Sequence, residues 1–136
     1  MPSYGARSRK NLDECHPMLQ KLFEEAIKHY DCSITCGHRN KEDQDALFDQ
    51  GRSQVRYPQG KHNHTPSLAV DVAPYPIDYE DRERFYFLSG LIKGIAAMMD
   101  IPIRWGGDWD SDMEFDDQKF DDLPHFELNL PPAPPK

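Results

Sequence analysis

Apolar positions recur at helical spacing in two stretches of the chain. From Pro17 onward, Leu19, Leu22, Phe23, Ala26, Ile27 and Tyr30 share one side while Glu24, Glu25 and Lys28 take the other, predicting a helix with Pro17 in its first turn. Phe85, Leu88, Leu91, Ile92, Ile95, Ala96 and Met99 predict a longer helix that an Asp78 cap would open. A shorter helix is expected from Lys41 to about Gln50, with Asn40 as cap, Asp43 in the capping-box position and Gly51 as the stop. Residues Met1 to Arg9 read as a loose lead-in, followed by one helical turn over Asn11 to Cys15. Between these lie β-rich runs at Cys32 to Cys36, Leu68 to Ala73, Ile101 to Trp105 and His125 to Leu130, and Pro102 sends the third to a sheet edge. Helices around short strands predict an α+β domain with a small antiparallel sheet, its polar cluster on strand ends and loops.

Two polar interruptions of the apolar pattern point to chemistry. The run Leu68 to Ala73 contains one carboxylate, Asp71, which is costly to bury unless it is paired or bound to a metal. The turn before it, from Lys61, offers two imidazoles, His62 and His64. Near the C-terminus, Asp121 to Leu128 opens a strand with another histidine, and period-two alternation puts His125 and Glu127 on one face with Phe126 and Leu128 on the other. A His, an Asp and a second His from separate segments match a catalytic zinc site with three protein ligands and an open fourth position. Asp122, close to His125, is then a candidate base. Arg39 stands between a predicted strand and a helix start, where loops commonly carry function.

Composition narrows the classes. The 136 residues carry 16 basic and 24 acidic side chains, a net charge of −8 that argues against a general nucleic-acid binder and is compatible with a substrate that is not strongly anionic, with a local basic patch left open. No run approaches a membrane span, and the basic N-terminus lacks the apolar core of a secretory signal. Cys15, Cys32 and Cys36 have no zinc-finger spacing and read as small buried thiols. The segment Asp108 to Asp122 carries Asp108, Asp110, Asp112, Glu114, Asp116 and Asp117. It reads as a solvated acidic loop, with a Ca²⁺ site as the alternative; it lacks the glycine and terminal glutamate of an EF-hand loop. The chain divides into one domain over 1–130 and a Pro-rich tail over 131–136.

These residues carry a resemblance. The chain is similar to zinc peptidases of the D-alanyl-D-alanine carboxypeptidase type (hedgehog/D-Ala-D-Ala peptidase-like), and most of all to phage endolysins that act as L-alanyl-D-glutamate endopeptidases. The family pattern S-x-H, a turn, then G-x-A-x-D is echoed by Gly60-Lys61-His62 and by Ser67 to Asp71. Its D-x-P-H-F-E element is matched from Asp122 to Glu127, its G-x-R turn by Gly37-His38-Arg39, and the run Arg104 to Asp110 also looks familial. Gly60 stands where the family usually has Ser, and Ser67 where it usually has Gly. His64 has the usual seven-residue spacing to Asp71, but Lys61-His62-Asn63 fits the S-K-H-N form better, so His62 is preferred and His64 kept as the alternative.

The resemblance implies one Zn²⁺ held by His62, Asp71 and His125, with Asp122 as the base and Arg39 binding a substrate carboxylate or the developing oxyanion. It implies Glu127 as a residue that orients a ligand. The implied substrate is the stem peptide of bacterial peptidoglycan, cut between L-Ala and D-Glu by a monomer made in the host cytoplasm, which reaches the wall after the membrane is permeabilised. A D,D-carboxypeptidase or dipeptidase on the same site, and a non-catalytic zinc-stabilised binding module, are the competing expectations.

Overall fold

The computed structural model describes residues 2–111, 113 and 121–130. Most of the acidic loop, including Asp112, Glu114, Asp116 and Asp117, and the tail over 131–136 lie outside the described residues. The element order is α1 (Ala6–Asp13), α2 (Pro17–Ala26), β1 (Cys32–Cys36), α3 (Lys41–Asp49), β2 (Ala69–Pro74), α4 (Arg82–Met98), β3 (Ile103–Trp105) and β4 (His125–Leu128), with a single 3-10 turn over Lys61–Asn63. The four strands form one antiparallel sheet in the order β1-β2-β4-β3. The expected α+β class holds, and β3 is an edge strand as Pro102 demands.

The sheet has two chemically different faces. Pairing of Val70 with Phe126 and of Asp71 with His125 puts Val70, Val72, Phe126 and Leu128 on one face. That face meets the apolar sides of α2 and α4: Phe23 packs edge-on against Phe126 at 5.9 Å between ring centres, and Leu19, Leu22, Leu88 and Ile92 are buried with them. The other face carries Asp71, His125 and Glu127, to which the β3 register adds Arg104 opposite Glu127. A one-residue slip of β4 would exchange these two sets, burying His125 and Glu127 among leucines. The apolar contacts of Phe126 and Leu128 therefore fix where the polar cluster assembles.

Several boundaries differ from the sequence-based expectation. The lead-in is a true helix, α1, although only Leu12 on it is buried. Its polar surface leaves no apolar stripe to read; it is held instead by tertiary bonds such as Asn11 Nδ2 to the Ile34 carbonyl at 2.8 Å and an Arg9–Glu24 ion pair. α4 begins at Arg82 rather than after Asp78, because the Asp78 carboxylate accepts from Glu80 N at 3.0 Å and so builds a local turn instead of a cap. α2 ends at Ala26, short of Tyr30. α3 is opened as expected, with Asn40 Oδ1 accepting from Asp43 N at 2.9 Å. Among the described residues no helix is long and apolar enough to cross a membrane.

Gly106 joins the fold to the site. Its N–H donates to the His125 carbonyl at 2.8 Å, and its own carbonyl accepts from Asp122 N at 2.8 Å. A Cβ placed there would sit 2.1 Å from the Asp122 carbonyl oxygen. Gly106→Ala is expected to destabilise the protein by about 1–3 kcal/mol through overpacking against backbone that has nowhere to retreat. Chemical denaturation would check this, and an unchanged midpoint would refute it.

Candidate active site

The turn that carries His62 is pinned from several directions. Gly60 N donates to Asn63 Oδ1 at 2.8 Å, Asn63 Nδ2 reaches back to the Arg39 carbonyl at 3.0 Å, and Arg39 N donates to the His62 carbonyl at 2.9 Å. His62 is buried, and its Nε2 lies 3.1 Å from Asp71 Oδ1 and 3.2 Å from His125 Nδ1; His125 Nδ1 is 3.4 Å from the same Asp71 oxygen. Asp71 and His125 face each other because they are register partners on β2 and β4. His64, by contrast, is exposed and is not brought to this cluster.

The outer bonds of the two rings decide which atoms face inward. His62 Nδ1 is 2.7 Å from the Gly37 carbonyl, which can only accept, so Nδ1 carries the hydrogen and a neutral ring points an Nε2 lone pair at the cluster. His125 Nε2 is 2.9 Å from Glu127 Oε1, so it donates to the carboxylate and leaves the Nδ1 lone pair facing the same point. Two imidazole lone pairs and a carboxylate oxygen thus converge within 3.4 Å of one another. Three acceptors so placed repel unless a cation stands between them. Two imidazole nitrogens and a carboxylate oxygen 3.1–3.4 Å apart make a donor set of the kind that holds zinc.

The protonation energetics state the same need for positive charge. Burial alone would strip His62 of a proton, but the Asp71 carboxylate outweighs it and raises the pKa to about 10. His125 is raised as well: burial opposes its charge, and Asp71 and Glu127 override it. Asp71 is held well below the usual carboxylate range because the two histidines overcome the cost of its burial. Glu127, also penalised by burial, is brought down to about 2 by His125, Arg104 and Lys61.

Asp122 sits beside this cluster, with a carboxylate oxygen within 4.8 Å of ligand atoms of Asp71 and His125. Burial, then the negative charge of Asp71, push its pKa up. Its backbone is fixed at both ends, N to Gly106 and carbonyl to His125 N, so its placement does not depend on its side chain. Arg39 is also at the site, but it is engaged: Nη2 donates to Asp71 Oδ2 at 3.3 Å and Nη1 to Gln44 Oε1 at 3.2 Å. It pulls the outer oxygen of Asp71 away, leaving Oδ1 toward the histidines.

A second grouping, Cys36 with His62 and Asp71, also brings ligand-type atoms together. A β-bulge between Ile34 and Cys36 turns the thiol toward Asp71, and Sγ approaches His62 Nδ1 at 3.8 Å. That nitrogen is already committed to the Gly37 carbonyl, so the Cys36 side offers no lone pair from His62. Cys15 and Cys32 are buried thiols, whereas Cys36 is half-buried at the edge of the cluster.

Sequence alone gives two neighbours no role of their own, although Trp109 lies in the run Arg104 to Asp110. Gln44 is buried on α3, where it holds Arg39 and donates to the Val55 carbonyl at 2.8 Å. Trp109 lies against His125, with ring centres 5.3 Å apart. Nothing in the periodicity of either segment marks these residues; each matters only through a tertiary contact. The site opens into a cleft of about 1090 Å³. Its lining includes Arg39, Arg52, Lys61, Arg82 and Arg104 opposite an equal number of carboxylates, so the cleft does not share the strongly acidic balance of the whole chain.

Known proteins share this arrangement of sequence and fold. The chain is 29% identical over 120 residues to the L-alanyl-D-glutamate peptidase of Escherichia phage T5, an alignment covering 85% of this chain and 87% of that protein. It is 28% identical over 133 residues to the peptidoglycan L-alanyl-D-glutamate endopeptidase CwlK of Bacillus subtilis, covering 85% and 74% respectively. The fold superposes on the crystal structure of the L-Ala D-Glu endopeptidase ChiX of Serratia marcescens with a TM-score of 0.73 and 25% identity, over 93% of this chain and 90% of that one. The family model for phage L-alanyl-D-glutamate peptidases matches residues 2–129, a span that takes in every residue of the cluster, and the chain belongs to that family.

Proposed function

We propose that this protein is a zinc-dependent L-alanyl-D-glutamate endopeptidase that cuts the stem peptides of bacterial peptidoglycan and serves a phage as its endolysin. The observation that carries this reading is the convergence of His62 Nε2, His125 Nδ1 and Asp71 Oδ1 on one point, each histidine held in the tautomer that turns a lone pair inward. Family membership supports the bond that is cut, and the phage T5 relative supports the endolysin role. The region 1–130 is read as one catalytic domain acting as a monomer, made in the host and meeting the wall once the membrane has been permeabilised.

His62, Asp71 and His125 would hold the ion, and zinc bound there would supply Lewis acidity for peptide hydrolysis and ease the deprotonation of water near neutral pH. Asp122 takes the proton from the attacking water and hands it to the leaving amine, and burial beside Asp71 gives it the raised proton affinity that this role needs. Glu127 keeps His125 in its Nε2–H form. Arg39, bonded to Asp71 Oδ2, fixes the carboxylate and adds positive charge at the edge of the cluster.

Digestion of purified peptidoglycan by the zinc-loaded protein, with mass analysis of the new termini, tests this. New N-terminal D-Glu with matching C-terminal L-Ala is expected, lost on chelation and restored by zinc. Release of D-Ala instead would identify a carboxypeptidase. No new termini from protein with zinc tightly bound would sink the catalytic reading and leave a binding module.

A further inference from the structure

The mechanism leaves unused a cation built into the same face of the sheet. β3–β4 pairing sets Arg104 opposite Glu127, so its side chain shares the face of Asp71 and His125. Two contacts hold the guanidinium: Nη2 donates to Glu127 Oε2 at 2.9 Å, and its carbon lies 5.4 Å from the centre of the Trp109 ring, which itself packs on His125. Its other nitrogens lack a protein partner among the described residues, and Nε is the one buried side-chain polar atom there without a hydrogen bond. Lys61 Nζ also approaches Glu127 Oε2, at 3.2 Å, while Glu127 Oε1 is bound to His125. One carboxylate thus faces two cations, and this wall of the cleft keeps a positive charge.

The other cations are less suited to meet an incoming anion. Arg39 is committed to Asp71 and Gln44, and Arg82 to Asp121. Arg52 is exposed on the loop after α3, so binding would first have to order its long side chain. Arg104 is already held by Glu127 and Trp109 and still has donors to offer.

A glutamyl residue that carries the next amide on one carboxyl brings its other carboxyl to the cleft, one residue from the scissile bond, as an anion wherever that group is not itself amidated. Such a charge entering a cleft is costly unless a fixed cation receives it. We propose that Arg104 is a specificity-determining residue that receives the free carboxylate of the glutamyl residue on the C-terminal side of the scissile bond. This rests on the endopeptidase reading above.

The test uses two peptides that differ only at that carboxylate, one with the free acid and one with its primary amide, and the zinc-loaded wild type, Arg104→Gln and Arg104→Lys. Wild type is expected to favour the acid by about ten- to a hundredfold in kcat/KM, the worth of a charge-assisted hydrogen bond. Arg104→Gln should lose most of that preference by falling further on the acid than on the amide, mostly through KM; Arg104→Lys should keep part of it. Equal cleavage of acid and amide by wild type would overturn the assignment, and this comparison holds even if Arg104→Gln fails to fold. An equal loss on both peptides would also overturn it, leaving Arg104 as a prop for Glu127 and His125. Cleavage of neither peptide by wild type would overturn the endopeptidase reading and this inference with it.

Discussion

Asp122→Ala is expected to lower kcat by about 10²–10⁴-fold, the usual worth of a positioned general base, while zinc content stays at one ion per chain. The loss should fall on kcat more than KM, because the Asp122 carboxylate acts on a proton in flight rather than on bound substrate. Metal retention follows from the geometry: the three converging lone pairs belong to His62, Asp71 and His125, and Asp122 stands beside them. The fold should tolerate the change, since the bonds that pin this segment, Asp122 N to Gly106 and His125 N to the Asp122 carbonyl, are backbone bonds. Asp122→Asn, which keeps the shape and removes the base, should be equally inactive. Steady-state kinetics on a stem peptide together with metal analysis of the same preparation decides the matter. Loss of zinc with activity would make Asp122 a ligand, and retained turnover would make it a bystander.

How far the sequence could be read depends on which residues carried local signals. α2 and the body of α4 announce themselves because burial on one side imposes a 3.6-residue period, and α3 because Asn40 caps it by a bond to a residue only three away. Asp71 stands out because a carboxylate in an apolar strand demands a partner, and His125 with Glu127 because β alternation sets them on one face. α1 was illegible for the opposite reason: its stability comes from bonds to Ile34 and Glu24, distant in sequence, rather than from a stripe. Gln44, Trp109 and Arg104 belong to the same class. Each gains meaning from the register of β3 on β4 or from the approach of a loop, and no spacing rule reports a register. The net charge is an average over the chain and does not report a cleft whose walls are balanced in sign.

The choice between His62 and His64 shows where spacing ends and geometry begins, and it yields the second large effect. Both residues sit on one short turn, and counting to Asp71 favours His64; the fold buries His62 against Gly37, Asp71 and His125 and leaves His64 exposed. Structural zinc binding of about 10–16 kcal/mol spread over four ligands gives about 3 kcal/mol per ligand, so His62→Ala should weaken zinc by roughly a hundredfold or more and abolish turnover. His64→Ala should change stability by less than about 0.5 kcal/mol and leave zinc affinity and kcat intact. Thermal unfolding with and without zinc separates the two without relying on activity. Zinc at about a hundred times its Kd adds about 2.7 kcal/mol to a protein that binds it only when folded, so wild type and His64→Ala should show the same zinc-dependent rise in Tm. His62→Ala should show little or none at that concentration, even if its metal-free form melts lower than wild type. A zinc-dependent rise that survives in His62→Ala and vanishes in His64→Ala would place the ligand on the exposed histidine and require the turn to refold on binding metal.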